Sequence, residues 1–312
     1  MEYRNLGKSG LKVSVIGLGT NRFGAEHVPQ AAVDSMMDVA LELGINFIDS
    51  ADIYTKGQSE ITLGNALKGR WDKFVLATKF FWPTGEGPND GGGSRYHLMN
   101  AVEASLRRLQ SDHIDLYYLH RWDVATPIEE TLRGLDDLVR MGKVRYIGAS
   151  NFVAWQLAES NLLAELRGWT AFAAEQAQYH MLERDVEREI LPYCAGHGVG
   201  FVPYFPLAGG FLTGKYRRGE PAPAGSRGES SDYVKGYMTP ANYDKIEKLD
   251  AWAQEREHSL SELAEAWLLA RPAVCSVISG ATKPEQIRAN VKAAEWKLSA
   301  EDVLALDALL KG

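Results

Sequence analysis

The sequence predicts an α/β protein built as a (β/α)8 TIM barrel with an N-terminal β-hairpin and long loops on its C-terminal face. Short apolar runs alternate with amphipathic stretches of helical periodicity, and eight such pairs fit into 312 residues without a linker between them. We therefore predict one domain over residues 1–312, with the hairpin in residues 1–13 and a lid or cofactor loop in residues 214–242. A doubly wound sheet shows the same alternation, so the barrel prediction depends partly on the count of pairs.

The start of the chain predicts a hairpin followed by the first barrel strand. Two short runs flank the turn sequence Gly7-Lys-Ser-Gly10, and a strand over residues 13–19 comes next. This strand ends in Gly17-Leu18-Gly19, but a dinucleotide-binding fingerprint needs a third glycine where Arg22 stands and a helix directly after it. We interpret the two glycines as a tight strand-to-loop turn.

The remaining elements follow from hydrophobic periodicity and from the residues at helix boundaries. Three capping sequences mark the start of helices, at Thr126–Glu129, Ser259–Glu262 and Thr282–Glu285. Segment 214–242 is rich in Gly, Pro, Ser and charge and is long for a connection, which favours a lid or binding loop. The other predicted strands are 45–48, 74–78, 113–119, 144–148, 172–178, 199–204 and 274–278, and the predicted helices are 29–43, 60–68, 97–109, 126–142, 155–166, 185–195, one from 259, one from 282, and 299–310.

Composition argues against several classes of function. The net charge is −7 and basic residues are interspersed with acidic ones, so we expect no nucleic-acid partner. The two cysteines, Cys194 and Cys275, are too few for a disulfide framework, and no Cys/His spacing resembles a zinc site, so we expect core packing and no metal. No apolar signal region and no run of roughly 18 apolar residues is present, so we expect a cytoplasmic protein without a membrane partner.

Polar residues follow several of the predicted strands at the point where each strand ends. In a barrel the carboxyl ends of all strands meet on one face, so we expect these side chains to converge. Each of them alone is explained by solvation or by a hydrogen-bonded edge, but together they favour a functional site on that face. The residues are Asp49, Lys79, His120, Ser150, Asn151 and Gln176.

Several longer motifs surround these residues. The first four are Asp49-Ser-Ala-Asp-Ile-Tyr54, Ala77-Thr-Lys79, Asp115-Leu-Tyr-Tyr-Leu-His120 and Gly148-Ala-Ser-Asn-Phe152. With them, the chain resembles the aldo-keto reductases over essentially its whole length. The segments 203–210, 212–215 and 279–286 look like the cofactor loops of that family, and the segments 91–96, 103–109 and 145–148 look closer still to bacterial reductases similar to potassium-channel β-subunits.

The resemblance implies a reductase of aldehydes and ketones whose catalytic residues are Asp49, Tyr54, Lys79 and His120. Tyr54 would protonate the carbonyl oxygen as hydride arrives. A free tyrosine has a pKa near 10, and a cation about 4 Å away is worth roughly 4 kcal/mol, so Lys79 would lower the pKa of Tyr54 by up to about three units. Asp49 would hold Lys79 in place and His120 would orient the carbonyl. The double-bond reductases of the family carry glutamate instead of this histidine.

The resemblance also implies NADP (NADPH) as the cofactor, with NAD as the alternative. Gln286 stands where many members have arginine, which weakens the case for NADP, although Lys283 and Arg288 could replace that arginine. Two further departures are Phe205 in place of serine and Ala289 in place of an acid or glutamine. The implied cofactor-binding residues are Gly19, Thr20, Asn21, Asp49, Ser150, Asn151, Gln176, Tyr204, Phe205, Pro206, Leu207, Gly209, Lys215, Gly280, Thr282, Lys283, Gln286 and Asn290.

The substrate is expected to be a small carbonyl or alcohol compound. An aromatic-rich pocket suits a molecule with an apolar or ring-shaped body, and Arg121 would favour an acidic group. The predicted pocket wall consists of Phe23, Tyr54, Phe81, Trp82, His120, Arg121 and Trp122.

Two other classes of protein were weighed against this one. A short-chain dehydrogenase would carry a Tyr-x-x-x-Lys pair, which this sequence lacks. A nucleotide-sensing regulatory subunit with the same fold stays as the alternative, although such subunits usually carry an N-terminal extension and here the predicted tetrad is intact. Both a monomer and a homo-oligomer remain open.

Overall fold

The computed structural model describes residues 1–311 and begins with a two-stranded antiparallel hairpin. Strand β1 (Tyr3–Asn5) pairs with β2 (Lys12–Ser14), and a bend at Val15 separates β2 from the first barrel strand, β3 (Ile16–Gly19). The single strand predicted over residues 13–19 is therefore wrong. The hairpin closes the bottom of the barrel, because its Leu6 and Val13 pack in one buried cluster with inward-facing strand residues.

Eight parallel strands form the main sheet, in which β4 to β9 each pair with the preceding strand and β10 pairs with β3. The sheet closes between its last two strands, since parallel bridges join Phe201 to Val274 and Tyr204 to Ile278. This closure distinguishes the (β/α)8 barrel from a doubly wound sheet and confirms the predicted fold class. After β3 the strands are β4 (Phe47–Asp49), β5 (Val75–Phe80), β6 (Ile114–Leu119), β7 (Val144–Ser150), β8 (Ala174–Gln176), β9 (Gly200–Phe201) and β10 (Val277–Gly280).

Helices surround this sheet, and the larger buried cluster lies between them and the strands. The segment 185–195 was predicted as one helix, but the helix proper begins at Ile190. Pro192 accounts for the late start, because proline is tolerated only in the first turn of a helix. The helices are α1 (Gln30–Glu42), α2 (Gln58–Ala66), α3 (Arg95–Leu109), α4 (Ile128–Arg140), α5 (Ala154–Arg167), α6 (Ile190–His197), α7 (Arg227–Ser230), α8 (Asp232–Lys235), α9 (Pro240–Gln254), α10 (Leu260–Leu269), α11 (Pro284–Ala293) and α12 (Ala300–Lys311). Among residues 1–311, no helix is long and apolar enough to cross a membrane.

One of the three predicted helix caps forms as expected. Ser259 and Glu262 make the reciprocal hydrogen bonds of a capping box at the start of α10. At α4 the predicted cap is wrong, because Thr126 donates its hydroxyl to Asp123 instead. At α11 the backbone N–H of Thr282 is bound by the side chain of Gln286, and the expected partner Glu285 is not used.

The glycines of Gly17-Leu18-Gly19 do not form the predicted turn. Both lie inside β3, and a Cβ atom on Gly17 would come within 2.6 Å of the Ile278 side chain on the neighbouring strand β10. A Cβ on Gly19 would come within 2.9 Å of the same side chain. The two glycines therefore allow close packing of the first and last barrel strands, at the edge where the cavity described below begins.

Segment 214–242, predicted as a lid or cofactor loop, is more ordered than a loop. It contains the short helices α7 and α8 and the first turn of α9, which was not predicted. Helix α8 packs on the segment that follows β9, because a Cβ on Gly209 would lie 2.5 Å from the Val234 side chain. The segment thus covers one side of the carboxyl-end face of the barrel.

Candidate active site

A cavity of about 760 Å³ opens at the carboxyl ends of the strands. Two of the predicted cofactor residues, Lys283 and Asn290, lie outside its lining. The other sixteen line it: Gly19, Thr20, Asn21, Asp49, Ser150, Asn151, Gln176, Tyr204, Phe205, Pro206, Leu207, Gly209, Lys215, Gly280, Thr282 and Gln286. Residues that are distant in sequence meet here because parallel strands deliver their ends to one face.

A buried ion pair forms the floor of the cavity. The Lys79 Nζ lies 2.6 Å from Asp49 Oδ1, and the two side chains are 0% and 3% exposed. Lys79 also donates to the Ser50 carbonyl at 2.7 Å and to the Tyr54 hydroxyl at 3.3 Å, while Gln176 donates its amide to Asp49 Oδ2 at 2.8 Å. Burial opposes the charge on Lys79, but Asp49 and Tyr54 outweigh it, so the pKa of Lys79 is raised above its usual value.

Tyr54 lies between this ion pair and the open space of the cavity. Burial of its hydroxyl raises the pKa of Tyr54 above 10, and the Lys79 ammonium offsets only part of that increase. Lys79 thus acts on the pKa of Tyr54 in the expected direction, but the net pKa is raised because desolvation of the phenolate is the larger effect. Tyr54 is consequently a neutral phenol at neutral pH, with a proton available to donate.

The backbone that follows Tyr54 is strained. Thr55 and Lys56 adopt the left-handed conformation with φ of 47° and 55°, which is rare for residues other than glycine and especially for a β-branched one. The Thr55 hydroxyl donates to the Phe23 carbonyl at 2.6 Å and so helps to hold this conformation. Such strain costs of order 1–3 kcal/mol per residue and is typical of functional sites, where the surrounding structure fixes the position of a side chain.

His120 lies beside Tyr54, with their ring centroids 6.1 Å apart in an edge-to-face arrangement. Burial and the nearby charge of Lys79 lower the pKa of His120 to about 3, so its imidazole is neutral at neutral pH. Its Nδ1 is buried without a hydrogen-bond partner among the described residues. A buried N–H without an acceptor is costly, which favours the tautomer that carries its proton on Nε2.

A second polar group lies next to His120, whose backbone carbonyl accepts a hydrogen bond from the Asn151 side-chain amide at 3.1 Å. Asn151 accepts a hydrogen bond from the Tyr204 hydroxyl at 2.8 Å and donates to Ser150 Oγ at 3.0 Å. The backbone of Asn151 is left-handed, with φ of 60°, and the next residue donates its N–H to buried Glu175 at 3.0 Å. Burial raises the pKa of Glu175 well above its usual value, which favours the neutral form of the carboxyl group that supports this turn.

Cations dominate the lining of the cavity although the chain has a net charge of −7. Asp49 is the one acid among the described lining residues, and Lys79 neutralises it. Four cations also line the cavity and form no ion pair with a carboxylate of residues 1–311: Arg22, Arg121, Lys215 and Arg227. A cavity with this charge is suited to a multiply charged anion.

The predicted pocket wall divides into two groups. Tyr54, Trp82, His120 and Arg121 line the cavity. Phe23 does not, because it is fully buried in the core between strands and helices, where an aromatic side chain is most stable. Phe81 and Trp122 also lie outside the lining and pack against the same core, Trp122 with its ring 5.3 Å from that of Phe152.

Some lining residues were not predicted individually. Ser226, Arg227 and Ser230 belong to segment 214–242, which was predicted as a segment without a reason to single out any of its residues. Arg22 and His27 lie in the connection between β3 and α1. The position of a cation shortly after a strand is a usable signal for Arg22 in the sequence.

The far end of the cavity lies at the start of α11, where Thr282 and Gln286 hydrogen-bond to each other. Arg288 is engaged elsewhere, since its guanidinium forms an ion pair with Glu42 of α1 at 2.8 Å. Lys283 is exposed at the N-terminus of α11 and forms no ion pair within the described part of the chain. Lys283 is thus the better placed of the two residues that could replace the missing arginine.

Comparisons with known proteins agree in their result. The model of the Aldo/keto reductase family matches residues 15–311. A probable voltage-gated potassium channel subunit beta of Arabidopsis thaliana is 38% identical over 303 residues, which cover 95% of this chain and 92% of that protein. The uncharacterized oxidoreductase YrpG of Bacillus subtilis is 38% identical over 325 residues, covering 100% of this chain and 97% of that protein. A putative voltage-gated potassium channel subunit beta of Schizosaccharomyces pombe is 37% identical over 321 residues, covering 99% and 93%.

The family match and these relatives extend over nearly the whole chain, as does the barrel that carries the cavity. The chain therefore belongs to the aldo/keto reductase family, whose members are NAD(P)H-dependent oxidoreductases that act on small carbonyl compounds.

Proposed function

We propose that the protein is an NADPH-dependent reductase of aldehydes and ketones to alcohols, with Tyr54 as the proton donor. The observation that carries this proposal is the contact of one buried cation, Lys79, with both Asp49 and the Tyr54 hydroxyl at the floor of the cavity. A neutral phenol beside a fixed ammonium group can donate its proton, because the cation stabilises the phenolate that remains.

The lining of the cavity fits a nicotinamide dinucleotide. Its unpaired cations suit the phosphates, the polar group of Ser150, Asn151 and Gln176 suits the carboxamide, and Tyr204 offers an aromatic face. The segments around Lys215 and Arg227 would hold the pyrophosphate. When bound, NADPH supplies the hydride that the carbonyl carbon accepts.

The residues at the cavity floor would orient the carbonyl group and supply its proton. His120, neutral and protonated on Nε2, would donate a hydrogen bond to the carbonyl oxygen and orient it towards Tyr54. Tyr54 would then transfer its proton to that oxygen. Asp49 would keep Lys79 charged and in place, and Gln176 would hold Asp49 from its other oxygen.

The preference for NADP over NAD is part of the proposal. Lys283, exposed at the N-terminus of α11, supports it, since a cation and a helix N-terminus both favour a phosphate group. Arg288 gives less support than expected from the sequence because Glu42 already neutralises it.

The alternative function is a nucleotide-sensing regulatory subunit that keeps the reductase fold. The names of the Arabidopsis and Schizosaccharomyces relatives, both as potassium channel beta subunits, favour it. Against it stands the intact group of Tyr54, Lys79, Asp49 and His120, whose geometry serves proton transfer and is not needed for nucleotide binding alone.

The test is a pair of measurements on the native protein. Calorimetric titration with NADPH and with NADH gives the affinity for each nucleotide, and the absorbance of NADPH gives turnover with a panel of aldehydes and ketones. Tight NADPH binding with turnover supports the reductase. Nucleotide binding without turnover across the panel favours the sensor, and the absence of binding of either nucleotide contradicts both.

A further inference from the structure

We propose that the preferred substrates are aldehydes or ketones that carry a carboxylate, and that the guanidinium of Arg121 binds this group. The inference rests on the proposed reductase function and narrows its substrate class. It follows from the position of one unpaired cation at the catalytic end of the cavity.

A row of side chains leads from the reaction centre to Arg121. The imidazole of His120 lies 6.1 Å from the Tyr54 ring and 6.5 Å from the Trp82 ring. The Arg121 Cζ lies 5.9 Å from the centre of the Trp82 ring. These separations place the guanidinium within about 12 Å of the imidazole. A benzene ring or a chain of a few carbon atoms between carbonyl and carboxylate lies within that limit.

Arg121 has no anionic partner in the part of the chain that the structure describes. Its one cation–π contact there is with Trp82, whose side chain is partly exposed. A guanidinium that rests on an aromatic ring keeps its N–H groups free for a carboxylate, which it can bind through two parallel hydrogen bonds. The apolar body of the substrate would contact Trp82 itself.

The other three unpaired cations are explained by the nucleotide. Lys215 and Arg227 belong to the segments that follow β9, and Arg227 lies over the Phe205 ring at 5.8 Å. The charge of Arg22 contributes to a lowered pKa of Arg227, after the larger effect of burial, so Arg22 lies on the same side. Arg121 instead follows His120 directly and its charge acts on the Tyr204 hydroxyl, at the end where the carbonyl would bind. Phosphates bound by the first three cations would leave Arg121 unpaired.

The experiment compares two aldehydes that differ in charge, 4-carboxybenzaldehyde and its methyl ester. We expect the native protein to show a kcat/KM about tenfold higher for the acid, a difference that decreases as salt is added. Arg121→Gln should remove this preference by lowering kcat/KM for the acid alone. The matched control Arg22→Gln should keep the ratio of acid to ester, whatever it does to NADPH binding.

Equal kcat/KM for the two aldehydes, or an equal loss for both in Arg121→Gln, would overturn the proposal. A second readout separates it from the proposed function. Calorimetry of the NADPH complex with 4-(hydroxymethyl)benzoate measures anion binding without turnover, because neither compound can accept a hydride from the other, and we expect Arg121→Gln to weaken this binding about tenfold. Failure to reduce either aldehyde would count against the reductase function, whereas unchanged binding in Arg121→Gln would count against the anion site.

Discussion

Removing one partner of the ion pair between Lys79 and Asp49 should destabilise the protein strongly. Lys79→Met leaves the Asp49 carboxylate buried, with the Gln176 amide as its remaining side-chain donor. A buried charge without its partner costs about 3–5 kcal/mol. At about 2.1 cal/mol/K per residue, the unfolding entropy of a chain of 312 residues is about 0.65 kcal/mol/K, so Tm should fall by about 5–8 °C.

The double variant makes this a test of the pair and not of lost packing. Asp49→Asn with Lys79→Met removes both charges of the pair, so we expect it to be less destabilised than the sum of the single variants by about 1–3 kcal/mol. Urea unfolding of the native protein and the three variants gives each free energy of unfolding. Single variants within 1 kcal/mol of the native protein, or a double variant equal to the sum, would refute the reasoning.

Three further predictions concern the pKa of Asp52, the pKa of Tyr54 and the choice of nucleotide. Burial and the charge of Glu60 raise the pKa of Asp52 to about 8, so the contribution of Asp52 to stability is present below about pH 4 and is lost as pH rises through about 8. The stability of Asp52→Asn relative to the native protein should therefore increase between about pH 4 and pH 8. A difference in the free energy of unfolding in urea that stays constant over this range would contradict the prediction. Because the pKa of Tyr54 is raised above 10, the difference in phenolate absorbance between the native protein and Tyr54→Phe should show no ionisation below pH 10, and a titration below pH 9 would disprove it. Lys283→Ser should weaken NADPH binding several-fold and leave NADH binding unchanged. The control Arg288→Ser should change neither affinity, because Arg288 forms an ion pair with Glu42. An equal loss of affinity for both nucleotides in Lys283→Ser would exclude a role of Lys283 at the 2′-phosphate.

The strand-end residues could be predicted to converge because of a rule of geometry. Asp49, Lys79, His120 and Gln176 each follow or end an apolar run, and parallel strands of a barrel bring such ends to one face. Tyr54 is different, since it lies five residues beyond its strand in a turn with left-handed backbone. Only the resemblance to a family indicated it.

Other features depend on packing that the sequence pattern does not contain. Phe23 follows a strand as Trp82 does, yet one is buried in the core and the other lines the cavity, because the direction of a loop side chain is set by its neighbours. The ion pair of Arg288 with Glu42 joins residues 246 positions apart. Helix α9 was missed although Thr239 caps it and Pro240 stands at its first position, because both residues lie in a segment interpreted as a loop. The assignment of residues 1–312 to a single domain stays a prediction.

The central claim is that Tyr54 donates the proton in carbonyl reduction, and Tyr54→Phe tests it most directly. This variant removes one oxygen atom and keeps the ring that packs beside His120. We expect kcat for NADPH oxidation with the best aldehyde of the panel to fall by about a hundredfold or more, the usual contribution of a placed general acid, while the affinity for NADPH stays close to the native value. Equal turnover by the two proteins at equal NADPH affinity would contradict the assignment of Tyr54 as the acid.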